Sequence, residues 1–565
     1  MRKIARVAVY LVAFLALPAG VGFVFLQLAI ASYVSPSPPS QLAAAHSHAP
    51  PALDPRRPTV AVVLGIDITE VADALAPYAV FQRSDAFNVV MVAEERRPVA
   101  LTGGLDVLPH YSFAELDAQD GAGPAVIVVP NVPNVRANEK LRLWVQRHAR
   151  AGSLVMSVCS GAQMLAATGL VDGQPVTTHW GDIARIERQY PGPTWVRGQR
   201  YVDNGQVVST AGILSGIDGS LHIIDRLRGR KLALEVARQI HYTDVRYLDD
   251  TAMEQFEVGP SDAVVLLNAG FLWERTTLGV ALYDGMDEIA LAAVYDTFPI
   301  ADRLISVGSM GAPVTSKHGL NLLARRAPGD WSHFDEMLVP GPKGLPMAWL
   351  APLSVTYTLT SEQDFPFGKA IQDLARRHDL PTARFAAKRL EYRMTPTGER
   401  GRSWWKMAVV YRAFLLGILG VCLVWGIERL LRRRRDRSAP GMNALHEEML
   451  KQELDSAKAL IGGGKLDEAS LHLERAHVLG QAQVRWHVLS HWLMLKVAIQ
   501  RRQGVAATGQ VARIALGAIG SAVGRVPTGN TGASGVSMFA RMPVDPELLR
   551  VMGGTNLNRP TPEHR

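Results

Sequence analysis

The sequence predicts an α/β fold, a mostly parallel sheet covered by helices on both faces, followed after a membrane span by an all-helical domain. Three observations predict it. From Thr59 onward, apolar runs of strand length alternate with helical stretches, the pattern of strands buried on both faces. Two long apolar segments, Val7–Tyr33 and Met407–Leu431, each reach the roughly 20 residues that cross a bilayer. Beyond Asn443 apolar residues recur at helical spacing, as in Leu466, Ala469, Leu473 and Ala476.

A chain of 565 residues exceeds one core. The expected division is a spanning helix in 1–36, a linker in 37–58 rich in Pro, Ala, Ser and His, and an α/β domain in 59–246. A second α/β domain follows in 247–400, then a second span in 405–431, a basic linker in 432–442 and a helical domain in 443–565.

Arg2, Lys3 and Arg6 precede the first apolar segment; Trp404 and Trp405 open the second, and the run Arg432–Arg437 closes it. Aromatics at one interface and basic residues on the cytoplasmic side are what spanning helices require. Both termini are therefore expected in the cytoplasm of a bacterium, with residues 37–404 in the periplasm and the chain in the inner membrane. Small residues at Ala29, Ala31 and Ser32 leave cleavage after the first segment open. Glu428 is close enough to the cytoplasmic end of the second span to reach headgroups, and Cys422 is expected as a small buried apolar residue. The net charge of +8 does not form one basic face, because its densest cluster flanks a span. The expected partners are a small-molecule ligand or substrate and the lipid bilayer, not nucleic acid; a second copy of the chain or a membrane protein is also admitted.

In the external region Thr59–Leu64, Phe87–Val92, Pro124–Pro130 and Ser153–Val158 read as strands, with helices beginning near Asp73 and spanning Asn138–Ala149. Cys159, one of only two cysteines, follows the last of these strands where the chain turns into a helix. Ligands of such folds bind at the carboxyl ends of strands, and the field at a helix start favours a thiolate. His179 lies twenty residues beyond. The backbone N–H groups of Ser160 and Gly161 are candidates to receive charge developing on a substrate. Asp73 reads either as an acid–base group or as the cap of the helix after it, and His179 either as a partner of the thiol or as a packing residue beside Trp180. His46 and His48 in the linker are possible metal contacts or unassigned surface residues.

Several stretches together carry a resemblance: Asp73–Phe81, Gly103–Pro109, Val158–Gly173 with its Val-Cys-Ser-Gly-Ala core, Thr177-Thr-His-Trp180 and Ser209–Asp218. Residues 59–246 resemble the DJ-1/PfpI superfamily, a flavodoxin-like, class I glutamine-amidotransferase-like sandwich, and specifically its branch of isonitrile hydratases and AraC-type regulator ligand domains. The resemblance implies Cys159 as nucleophile, Asp73 as the acidic residue approaching it and His179 as the following histidine. Many members place a glutamate of the first helix near the thiol; the matching place here holds Ala79, so that tuning is expected to be absent. PfpI-type proteases have histidine directly after the cysteine, where this chain has Ser160, which argues against proteolysis.

The same pattern recurs in weakened form. Leu278–Met286, Ile289–Phe298, Val314–Leu323 and Phe334–Gly341 echo the start, first helix, hairpin and later strand of the first domain, and Ala383–Tyr392 mirrors Ala233–Tyr242. No second cysteine segment appears, so 247–400 is expected to be a degenerate copy packed on the first as an intrachain pseudo-dimer.

The helical domain is expected to have helices near 444–461, 465–479, 483–502 and 506–520, and through its His472–His477, His487–His491 and Gly529–Gly532 stretches residues 465–550 resemble a small bacterial family of unknown function. Glu474 and His477 share one helix face, and His487 and His491 another. Two such pairs on neighbouring helices would hold a divalent transition metal, with Gly504, Gln510 and Arg513 completing the pocket; a polar network of the same residues is the alternative. The Pro527–Gly532 loop lacks the ending of a phosphate loop.

Two functions follow. In one, the external domain binds or senses a small electrophile or oxidant through Cys159 and passes that state to the helical domain. In the other it is a cysteine-dependent hydratase, lyase or hydrolase, with Cys159 as nucleophile and Asp73 as acid–base. The membrane architecture favours the first and the intact elbow the second, so the sequence leaves catalysis undecided.

Overall fold

The structure is a computed structural model of the full chain. It describes residues 2–38, 49–121, 123–309, 313–329, 331–341, 355–359, 363–393, 407–435, 442–501, 503–523, 526–527 and 529–552. His46, His48, Trp404, Trp405 and Arg437 lie outside the described residues. Two compact units are present, Pro18–Phe414 and Met1–Leu17 with Leu415–Arg565.

Within Pro18–Phe414, a seven-stranded sheet runs in the order Tyr201–Asp203, Val207–Thr210, Leu154–Ser157, Val126–Val129, Thr59–Val63, Asn88–Ala93, Tyr111–Ser112. Only the first pair is antiparallel. The inner strands bury both faces: Val60 and Val62 enter one apolar cluster, Ala61 and Val63 the other. That two-sided burial explains the unbroken apolar runs in the sequence.

The segment after residue 247 contains a four-stranded parallel sheet in the order Arg303–Val307, Thr277–Ala281, Glu336–Pro340, Val355–Thr358. Its helix Glu288–Thr297 packs on Val71–Arg83 of the first part. The hairpin strand Asn321–Leu323 pairs antiparallel with Leu105–Leu108, so one five-stranded sheet is built from both parts. Val60 and Leu75 share a single apolar cluster with Leu278, Val294 and Ile371. The two α/β parts, expected as separate domains, therefore bury their apolar faces in a common core.

Among the described residues, two helices are long and apolar enough to cross a membrane, over Val7–Tyr33 and Ala408–Leu430. Cys422 is exposed on the second of these, correcting the expectation of burial: a long apolar helix presents side chains all round its surface, and composition does not say which are covered. Tyr10 donates to Glu428 at 3.2 Å. The C-terminal region folds as helices Ala444–Gly462, Leu466–Gly480, Val484–Gln500 and Gly504–Val523 with a short fifth, Pro546–Val551. Its first four agree with the sequence periodicity to within three residues at each end, around an apolar cluster that includes Leu450, Leu473, Ala476 and Leu493.

Candidate functional site

Strand Leu154–Ser157 lies between Val126–Val129 and Val207–Thr210, and Cys159 stands just beyond its carboxyl end. The cysteine has φ of +54°, a left-handed conformation that costs a non-glycine residue and is kept where tertiary contacts enforce it. The Thr178 hydroxyl holds the Cys159 carbonyl at 2.8 Å. At Gly161 a Cβ would lie 2.2 Å from the Val129 carbonyl oxygen, so only glycine passes there. The Gly161 N–H donates to the Val158 carbonyl at 2.8 Å. It closes the turn, and the expected pair of charge-stabilising N–H groups is reduced to that of Ser160.

The sulfur is covered: Cys159 is 6% exposed. Burial pushes its thiol well above the usual range, and the carboxyls of Asp73, Glu70 and Asp182 push the same way, against a hydrogen bond from the Ser160 N–H. The expectation of a resting thiolate is thus corrected, because desolvation and negative neighbours outweigh the turn's amide. The Ser160 hydroxyl lies 4.0 Å from the sulfur and donates to Asp182 at 2.6 Å.

Asp73 is completely buried. It is not the cap of its helix; Glu70 is, accepting the Asp73 N–H at 2.8 Å. One Asp73 oxygen accepts the Asn131 N–H at 3.0 Å, while Oδ1 is buried without a partner among the described residues. Burial pushes its carboxyl up to about 8 against the Asn131 hydrogen bond, with Asp296 adding to the rise. A carboxyl protonated at neutral pH offers a hydrogen at the orphaned oxygen. The first turn of this helix therefore supplies acids to the thiol from Asp73 and Glu70, although Ala79 itself is plain core.

Glu70 opens a second, buried layer. Tyr33 at the end of the first apolar helix lies 3.1 Å from both Glu70 Oε1 and Asp296 Oδ1. Arg389 pairs with Asp296 and donates to the Tyr33 hydroxyl at 3.4 Å. Three carboxyls share this region with one guanidinium, and burial pushes Glu70 well up. Sequence spacing gave no sign of Glu70, Asp296, Arg389 or Tyr33 acting together, since they come from four distant segments.

His179 is turned to other partners. Its Nε2 meets the Arg389 carbonyl at 3.0 Å and its Nδ1 accepts the Gly181 N–H at 3.2 Å, which makes Nε2–H the donor. The Trp180 indole donates to the Lys388 carbonyl at 3.2 Å. The His-Trp pair thus clamps the end of helix Leu380–Arg389, and no hydrogen bond joins His179 to Cys159 among the described residues. Beside it is a cavity of about 200 Å³ lined by Thr178, Trp180, Arg197, Phe256 and Glu391. Glu391 accepts from the Gly212 N–H at 2.6 Å and the Ser215 hydroxyl at 3.0 Å. Asp218 is buried against Arg200, 2.6 Å away, and Arg200 also donates to the Glu391 carbonyl at 2.6 Å.

In the helical region the rings of His477, His487 and His491 converge, one nitrogen from each lying within 4.8 Å of the others. Their outward nitrogens are all anchored. His477 Nδ1 meets the Asn530 carbonyl at 2.8 Å, His487 Nδ1 the Ser521 hydroxyl at 2.5 Å and His491 Nδ1 the Gln510 Oε1 at 2.8 Å. Burial pushes His487 and His491 down to about 4, and burial with the two neighbouring rings pushes His477 well below its usual range. Glu474 falls outside this group; it is half-buried and bonded to the Thr531 side chain. Sharing a helix face with His477 did not bring its carboxyl to the same point.

With this geometry in view, two family models match. Residues 58–226 match the DJ-1/PfpI family, and 444–552 match a protein family of unknown function, DUF3703. Isonitrile hydratase of Pseudomonas putida is 30% identical over 175 residues, covering 30% of this chain and 72% of that protein. The chain belongs to the DJ-1/PfpI family. Two further relatives, from Pseudomonas aeruginosa, are the HTH-type transcriptional regulators GbdR, 28% identical over 27% of this chain, and CdhR, 25% identical over 33%. The chain spans 41% of GbdR and 55% of CdhR. A solved DJ-1 superfamily protein of Salmonella typhimurium is 26% identical, with 33% of this chain and 99% of that one covered and a TM-score of 0.29.

Proposed function

We propose that this is a membrane-anchored DJ-1/PfpI protein whose external domain binds or senses a small electrophile or oxidant through Cys159. The observation that carries the reading is the unbroken line from the thiol to the first span: Asp73 and Glu70 act on the sulfur, and Glu70 is hydrogen-bonded to Tyr33, the last residue of that helix. A charge gained or lost at the sulfur alters the protonation of two buried acids, and one of those acids holds the span's end. Only one cation, Arg389, balances this group among the described residues, so a single proton matters there. The second span then carries the chain into the helical domain. In this reading both termini lie in the cytoplasm and residues 37–404 in the periplasm, an orientation that the basic flanks of the two spans support.

In this reading residues 247–400 are a degenerate second copy. Support comes from the shared order of strand, helix, strand, hairpin and two strands, and from the elbow itself: Leu359, just after Val355–Thr358, has φ of +56° where Cys159 has +54°. The turn has persisted with leucine in place of the thiol. Its partner role is to cover the first copy and contribute Glu391 and Arg389 to it.

A second reading has one specific observation in its favour, the protonated, half-unpartnered Asp73 beside a cysteine in a relative of an isonitrile hydratase. As a hydratase, the chain would add the Cys159 sulfur to the electrophilic carbon while Asp73 gives its proton to the substrate and regains one from the thiol. Water would then release the product. The test is mass spectrometry of the detergent-solubilised protein exposed to an aldehyde, an isonitrile and peroxide. A stable Cys159 adduct or sulfenate without turnover supports sensing. Turnover of the isonitrile that Cys159→Ala abolishes supports the enzyme, and an unmodified, inactive Cys159 at every pH sinks both.

A further inference from the structure

We propose that His477, His487 and His491 form a mononuclear transition-metal centre with one open coordination position that takes a small anion from the adjoining cavity. The Asn530 carbonyl can only accept, so His477 must carry its hydrogen on Nδ1. The Gln510 amide donates its Nε2–H to the Gly532 carbonyl at 3.0 Å, which turns Oε1 toward His491 and puts that hydrogen on Nδ1 too. The Ser521 hydroxyl donates to the Gln481 carbonyl at 2.7 Å and so accepts from His487 Nδ1. Three independent anchors thus leave all three Nε2 atoms as bare lone pairs.

Those lone pairs face one another. The Nε2 atoms of His477 and His491 are 3.1 Å apart, with no hydrogen of either neutral ring between them. Such an arrangement is repulsive until a cation enters. Metal–imidazole bonds of about 2.0–2.1 Å in a tetrahedral site put ligand nitrogens roughly 3.3 Å apart, close to what is found. A ring hydrogen-bonded at its other nitrogen is also how metal-bound histidines are held in orientation.

Three features mark the site as open rather than structural. No carboxylate or thiol joins the three rings among the described residues, whereas closed zinc sites use four protein ligands. The rings line a cavity of about 210 Å³, whose other walls include Leu516, Met538 and Phe539. Gly517 approaches His487 so closely that a Cβ would lie 3.0 Å from its Nε2, so the absence of a side chain keeps that rim clear. Three neutral ligands leave the full charge of a divalent ion uncancelled. Arg513 on the same cavity adds another positive charge, with its Nε buried and unpartnered among the described residues. An anion is the ligand this charge distribution favours.

The test uses the full-length protein in detergent, stripped with a chelator and titrated with Co²⁺ followed by azide. The expected result is one Co²⁺ per chain, with visible bands of a low-coordinate site that azide shifts. His491→Ala should weaken Co²⁺ binding at least 100-fold, and Gln510→Ala, which removes only the anchor of His491, about 10–100-fold. Glu474→Gln should bind Co²⁺ as the parent does, and Arg513→Leu should keep Co²⁺ but bind azide about tenfold more weakly. Circular dichroism of each variant confirms that the helices persist. Wild-type protein that is helical yet binds no stoichiometric Co²⁺ would overturn the centre. Bound Co²⁺ whose bands ignore azide would overturn the open position, and equal azide binding in Arg513→Leu would overturn its role.

Discussion

At Cys159, burial and charge act in the same direction, and both oppose ionisation. Burial pushes Asp73 up to about 8 and the thiol well above its own higher usual range, so the thiolate forms beside a carboxylate. Alkylation of Cys159 by iodoacetamide should therefore be slow at pH 7 and rise only in the alkaline range. Asp73→Asn should move that profile to lower pH, which mass spectrometry of the labelled peptide measures; an unchanged profile would remove Asp73 from the site. The same carboxyl sets a stability trend. Its pKa is raised in the folded state, so its contribution is intact below the ordinary value near 4 and is lost as pH rises through about 8. The melting temperature of the unit Pro18–Phe414 should fall across that window, and Asp73→Asn should flatten the fall.

Individual elements show why some of the site was legible and some was not. The elbow was readable because strand, cysteine and glycine are contiguous: Gly161 must be glycine where a Cβ would meet Val129. Gly161→Ala should cost about 1–3 kcal/mol by overpacking, read as a lower denaturation midpoint. The ion pair that ties helix Ser215–Arg228 to the end of the later α/β part was not readable, because Arg200, Asp218 and Glu391 come from separate segments of the chain. Arg200→Met strands Asp218 in a buried site and should destabilise the fold by about 3–5 kcal/mol, measurable by chemical denaturation. His179 illustrates the converse. Its position after the elbow suggested a partner for the thiol, yet its ring nitrogens are bonded to backbone at Arg389 and Gly181.

For the molecule as a whole, the common core of the two α/β parts means that they should unfold together. Calorimetry of the detergent-solubilised protein should show one transition for Pro18–Phe414, and two separated transitions assigned to its halves would contradict the shared cluster. The proposed topology makes its own prediction. Alkaline phosphatase fused after Arg57 should be active and a fluorescent protein fused after Arg565 should fluoresce; the reverse pattern would invert the orientation.

The sequence by itself determined the α/β class, the elbow cysteine, the two apolar helices and the boundaries of the C-terminal helices. All of these rest on residues close together in the chain, where periodicity and turn chemistry act locally. Only the tertiary structure decided the charge state around the sulfur, the role of Tyr33 and the exclusion of Glu474 from the histidine cluster. Protonation follows burial and the nearest charges, and those neighbours are brought in by folding from segments well separated along the chain.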